Sequence, residues 1–481
     1  MTLSKETAIY IRQVPPRVSS CSFKFNFFNF FNFLNFLNFL NLFNLRFVIL
    51  LYIMKQDQSH LLPLGSEKHK LDSDKDSVPK PESEKQDPFG DESQAGVKYK
   101  TMAWWQAGMI MIAETISLGI LALPKALAVL GLVPGILTIL GVGIISTYTA
   151  YTIGQFKCRH VQVHSMADAG DLLMGRLGRS TLDVAQLIFF VLVMGSHVLT
   201  FSIMMNVLTE HSSCTIIFSV VGLLASFMLT LPRRLERLSH ISSVSFVSIV
   251  GAVLTGMIGV TLVRDGPVHV PAFSPSPKVH DACLAVANII FAYAGHVAFF
   301  TLFSELRELK DFPKALALLQ LSEMVLYTVA AIVIYAYIGP TINSPALNSA
   351  GQLFRKISYA IAIPTIVIGG VVNAHVAVKF IYVRVFRGTN SMHSQSFMAR
   401  LVWAAICATL WILSWIIAEG IPVFNDVLGL VKGLFCFNIF LVFLGFLICI
   451  VGLYSSIRSI FHNLREGVGG GSFSCADNSL Y

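Results

Sequence analysis

From Thr101 onward the chain alternates apolar runs of about 18–27 residues with short polar breaks, and roughly 20 apolar residues are enough for a helix to cross a bilayer. The runs predict ten spans, at 102–130, 132–156, 182–208, 214–231, 241–263, 281–304, 316–339, 357–382, 400–418 and 427–454. The breaks give an orientation. With the N-terminus inside, the 2–3, 4–5, 6–7 and 8–9 connections and the span ends beside them carry 14 Lys and Arg residues, against 4 in the opposite connections. Positive residues collect on the cytoplasmic side of membrane proteins, so the N-terminus is expected inside.

The pattern changes before the first span. Residues 1–53 include a tract with Asn at 26, 29, 32, 35, 38, 41 and 44. A period of three winds an amide row around a helix that turns every 3.6 residues, and it would face lipid on nearly every side. This low-complexity Phe/Asn-rich segment is not expected to be part of the bundle, and Met54 is the expected start. Residues 55–100 mix Lys, Asp, Glu, Ser and Pro and are expected to form a disordered cytoplasmic tail. The transmembrane domain is expected over 101–456, followed by a C-terminal tail over 457–481.

Composition narrows the class. Charged residues are 13% of the chain, about half the share of a soluble domain, and mean hydropathy is +0.68. The net charge of +8 follows from the loop bias, and without a basic–aromatic stripe no nucleic-acid partner is expected. The partner this composition implies is the lipid bilayer. The eight cysteines show no CxxC or zinc spacing, so no metal is expected and they read as small packing residues. No phosphate loop, nucleophile elbow or HExxH pattern is present, and no soluble domain could drive an ATP pump. The chain is not expected to be an enzyme.

Chemistry inside the spans comes from two interruptions. In span 1, residues 113–124 read AETISLGILALP, with Ser117, Gly119 and Pro124 breaking the apolar run and Glu114 inside it. In span 6, residues 288–297 read NIIFAYAGHV, with Gly295 and His296 in mid-span. Backbone freed by such breaks is tolerated only where it faces protein or a polar cavity. Breaks five spans apart are expected of a five-plus-five inverted repeat with its site at the bilayer midplane. Burying charge is expensive, so ionisable residues in spans are functional candidates: Glu114 and His296 as coupling groups, with Lys125, His197, Glu323 and His375 weighed beside them. Glu323 could lie near the end of its span.

The stretches DPFGDESQAGVKYKTMAWWQ, AETISLGILALPKALAVLGLVPG, LPRRLERLSHISSVSF, FAYAGHVAFFTLFSELRELKDFPKAL and YSSIRSIFHNLREGVGGGSFSCADNS resemble the amino acid/auxin permease family of the APC superfamily, in particular its fungal neutral amino acid permeases. The resemblance covers about 87–481. It implies an all-α polytopic membrane protein with an APC/LeuT-like five-plus-five inverted repeat of 10–11 helices. It also implies import of neutral aliphatic and aromatic L-amino acids by proton symport, with the proton gradient as driving force and no cofactor. Spans 1, 3, 6 and 8 would line the site. Ser117, Leu118 and Gly119 would offer N–H groups to the substrate carboxylate, Tyr293, Ala294 and Gly295 carbonyls to its amino group, and Met194, His197 and Gly369 would shape the side-chain pocket. The resemblance favours the plasma membrane over the vacuolar membrane. One departure stands out: the family has two spans after AEGIPVFNDVL, whereas here a single run follows, so one helix is missing near 430. Together with the Asn tract, this reads as a gene-model error at both ends. The competing readings are an amino acid sensor of the same fold that does not transport, and an integral-membrane enzyme. The enzyme would need polar pairs clustered at one interface.

Overall fold

A computed structural model describes residues 87–90, 92, 96–263, 268, 270–274, 278–421 and most of 454–465. The described residues form helices α1 (Trp104–Leu130), α2 (Leu132–Arg159), α3 (Met166–Thr209), α4 (Thr215–Thr230), α5 (Leu235–Val263), α6 (Val279–Ala292), α7 (His296–Ser304), α8 (Phe312–Ile338), α9 (Gln352–Phe386) and α10 (Phe397–Gly420). Eight candidate spans result, α6 and α7 together making one. Helix α4 falls on the fourth expected span, 214–231; its 16 residues reach about 24 Å, short of the roughly 30 Å hydrocarbon core. The tenth run, 427–454, the gap near 430 and the tract 1–53 lie outside the described residues.

Local chemistry sets the helix ends. Gly131, at φ 93, turns α1 directly into α2, a conformation that costs residues with a Cβ. Ser165 caps α3 by accepting from the Asp168 N–H at 3.2 Å, and Ser396 caps α10 through the Ala399 N–H at 3.2 Å. Gly175, at φ 63, kinks α3 between an interfacial segment and the span proper.

Helices α1 and α9 form the centre. Helix α1 packs on α8, α6, α5 and α9, and α9 on α5, α3, α4 and α10. In α1, 89% of the most apolar stretch is buried inside the protein, against 22% in α2. The apolar outer face of α2 is therefore left for lipid.

One end of the bundle is knitted shut. Arg233, between α4 and α5, donates to the Ser394 and Met392 carbonyls at 2.7 and 2.9 Å. Tyr99 Oη donates to Met392 O at 3.0 Å, and Arg387 reaches Gln162 O at 2.8 Å. The N–H of Met102 meets the Glu305 carbonyl at 3.1 Å. These are the connections expected to carry the positive charge, so this end is cytoplasmic.

Three expectations need correction. Span 1 is not broken: α1 runs helical through Ser117–Gly119 and past Pro124. Its small residues serve close packing instead, since a Cβ on Gly119 would lie 2.7 Å from Ala292 Cα. The tail expected to be disordered through residue 100 is ordered at its end, where Phe89, Val97 and Tyr99 are buried; residues 55–86 lie outside the description. In the C-terminal tail, residues 457–463 are helical. Among the cysteines, Cys407 is buried and fits the packing role, but Cys158 is exposed and Cys214 is disulfide-bonded.

Candidate functional site

Span 6 is broken as expected. Helix α6 stops at Ala292, residues Tyr293–Gly295 turn, and α7 restarts at His296. The turn sits against α1, because a Cβ on Gly295 would meet Thr115 Cγ2 at 2.6 Å. Helices α3 and α9 complete the enclosure. A Cβ on Gly369 would lie 2.6 Å from Ser117 Oγ, 2.7 Å from His197 Cε1 and 2.9 Å from Ala113 O. Four spans thus converge on backbone that only glycine permits.

The cavity between them is lined by Glu114, Thr115 and Leu118 of α1, Phe189, Val193 and His197 of α3, Phe291 and Ala294 at the break, and Asn373 of α9. Its volume is about 20 Å³, on the scale of one water, so this conformation is contracted around the site. Two polar atoms in the wall have no partner: Glu114 Oε2 and His197 Nε2. His197 Nδ1 lies 2.7 Å from the Ile366 carbonyl. That carbonyl can only accept, which makes Nδ1 the donor and, in the neutral ring, leaves Nε2 with a lone pair toward the cavity. Asn373 Nδ2 donates to Gly369 O at 3.0 Å, fixing its amide one turn from the glycine.

The expected site residues divide accordingly. Glu114, Leu118, His197 and Ala294 line the cavity. Ser117, Gly119, Gly295 and Gly369 bring the helices into contact around it. The N–H groups of Ser117, Leu118 and Gly119 lie within continuous helix. Tyr293 turns away, its hydroxyl 3.0 Å from where a Cβ on Gly143 of α2 would stand. His296 also points to α2, with Nε2 3.0 Å from Ser146 O and 2.8 Å from Thr149 Oγ1. Met194 is fully buried but is not in the cavity wall.

His375 Nε2 donates to Pro232 O at 2.7 Å and its ring packs edge-on against Trp403, which is structural work. Glu323 lies near the middle of α8 and is 1% exposed, not near an end as expected. Phe189, Val193 and Asn373 were not singled out from sequence, yet a signal existed. Phe189, Val193 and His197 are spaced by four and share one face of α3, as Gly369 and Asn373 do on α9. Met194 is three before His197 and falls to the side of that face. Among the described residues no group of three or more His, Cys, Asp or Glu side chains could hold a metal.

A discontinuous span against a central helix, in a bundle of lipid-facing helices with a midplane cavity, defines a membrane carrier architecture. The comparisons agree. The chain matches the family described as transmembrane amino acid transporter protein over residues 100–455, and it belongs to that family. It is similar to the N amino acid transport system protein of Neurospora crassa, 32% identical over 354 residues, covering 72% of this chain and 75% of the relative. It is also similar to a transmembrane transporter of Gibberella moniliformis, 28% identical over 425 residues, covering 80% and 89%. Among solved structures, a substrate-bound outward-open Na+-coupled sialic acid symporter superposes with a TM-score of 0.50 at 13% identity, over 78% of this chain and 92% of that one. That likeness shows the fold, the APC/LeuT-like one.

Proposed function

We propose that the chain imports neutral aliphatic and aromatic L-amino acids across the plasma membrane by proton symport with alternating access. The observation that carries this reading is the composition of the cavity wall. Leu118, Phe189, Val193, Phe291 and Ala294 offer an apolar lining, and Glu114 is its only carboxylate, with no Lys or Arg beside it. Such a wall suits a side chain without charge. On substrate entry α1 opens at Ser117, Leu118 and Gly119, freeing N–H groups for the substrate carboxylate. The Tyr293–Gly295 turn presents carbonyls to the amino group, and His197 with Gly369 bounds the side chain. Met194 backs this pocket from behind. Glu114 faces the cavity and is assigned the coupling role ahead of His296, whose ring is held by α2.

The test is uptake of radiolabelled leucine and phenylalanine at pH 5 and pH 7.5 in a permease-deficient yeast expressing the chain, with a fluorescent tag to report the membrane. Saturable uptake that is faster at pH 5 is expected. Binding of substrate without flux at either pH would instead mark a sensor.

A further inference from the structure

Behind the cavity, on the far side of Thr115, lies a second carboxylate that the proposed cycle has not used. Glu323 of α8 is 1% exposed, and neither of its oxygens has a hydrogen-bond partner. Among the described residues no Lys, Arg or His forms an ion pair with it. Leaving a bare carboxylate at that depth is far costlier than holding the neutral acid.

The Thr115 hydroxyl lies beside the Glu323 carboxyl and 3.0 Å from Met111 O, and a hydroxyl can meet the neutral acid as donor or as acceptor. Tyr327, one turn along α8, spends its hydroxyl proton on Ala292 O at 2.8 Å, with Thr115 O at 3.3 Å. The Tyr293 hydroxyl, unpartnered, also faces this region. One turn before Glu323, Thr147 of α2 donates to Gln320 Oε1 at 3.0 Å and Gln320 donates to Ser146 at 3.4 Å, and none of these groups titrates near neutrality. Glu114 is the remaining titratable neighbour, on α1 next to Thr115, with an unpartnered oxygen in the cavity wall.

We propose that Glu323 is a second proton-holding carboxylate of the coupling site, neutral while α8 stays packed on α1. The inference rests on the proton-symport reading above. When α1 moves away from α8, the O–H bond on Glu323 breaks and the proton passes to water on the side then open; the carboxylate takes up a proton again from the opposite side before α1 and α8 close. Thr115 is a positioning residue in this scheme, since it moves no net charge.

The test uses the full chain reconstituted in vesicles, comparing wild type with Glu323→Gln and Glu323→Asp. Two readouts are needed: counterflow exchange of labelled leucine without a pH gradient, and accumulation driven by an inward proton gradient. Gln keeps the shape and neutrality of the protonated acid, so exchange is expected to stay within about twofold of wild type, while gradient-driven accumulation falls at least tenfold. Asp keeps the acid and is expected to retain gradient dependence. The inference is overturned if Glu323→Gln still accumulates leucine like wild type, or if it loses exchange and accumulation alike, which would mark a purely structural residue. A wild-type protein indifferent to the gradient would instead overturn the symport reading, and this inference with it.

Discussion

Gly369 leaves no room for a methyl group. A Cβ there would meet Ser117 Oγ, His197 Cε1 and the Ala113 carbonyl, all within 2.9 Å. Ser117 can rotate, but His197 is tied to Ile366 O and Ala113 O is helix backbone. Gly369→Ala must therefore push α9 off α1 and α3, at a cost of about 1–3 kcal/mol from overpacking. Leucine uptake is expected to fall more than tenfold while the protein still reaches the membrane. Gly251→Ala is the control, since its Cβ would meet only Ile361 Cγ2, at 3.3 Å; uptake near the wild-type level is expected there. Much of this site was legible residue by residue. Glu114 and His197 stand out because ionisable groups are rare in lipid, while Gly369 was implied only by the family resemblance. The side chains that fill the wall did not stand out, because Phe189 and Val193 look like any lipid-facing residue until the face of α3 that carries His197 is known.

At the scale of the element, the two interruptions read from sequence have different fates. The Tyr293–Gly295 turn breaks span 6, and the carbonyl of Ala292, orphaned at the end of α6, is taken by Tyr327. Tyr327→Phe removes that donor and leaves a buried acceptor unpaired, a loss of about 1–3 kcal/mol. A lower thermal midpoint of the detergent-purified protein and slower uptake are the expected results. In α1 the same kind of residues stays helical, because Ser and Gly are tolerated in a helix whose neighbours pack against them. Composition shows that such a stretch can approach another helix closely. Whether it also unwinds depends on what sits in the cavity, which no residue pattern encodes. The spans themselves were legible throughout, because the bilayer imposes one length and one polarity on every helix. The packing of residues 89–99 was not, since a polar, Pro- and Gly-containing stretch carries no periodicity and is ordered only by partners far along the chain.

At the scale of the whole molecule, the cytoplasmic end contains a pH-sensitive element. His164, between α2 and α3, is buried with neither ring nitrogen paired, and its ring packs edge-on against Phe89. Burial holds its pKa well below the usual histidine range, with Lys157, Lys379 and Arg387 adding to the effect. The unfolded chain thus binds a proton here more readily than the folded one. Stability from this group is intact above the unfolded value of about 6.5 and declines as the pH falls below it. Melting of the purified protein between pH 5 and 8 should show that acid-side loss. His164→Phe, which keeps the contact with Phe89, should flatten it; an unchanged slope would assign the loss to other groups.

The segment before α1 ties this end together. Val97 and Phe89 carbonyls each lie 2.8 Å from a ring nitrogen of His393, Gln395 donates to Gly96 O at 2.6 Å, and Lys379 pairs with Glu305 in full burial beneath the Tyr99 ring. Under the proposed import cycle these contacts hold the cytoplasmic end closed at rest, so the protein would act as a rectifier and amino acids already stored in the cell would leak back slowly. Cells preloaded with labelled leucine should lose it faster when His393→Ala loosens that seal, even under conditions where inward uptake is little changed.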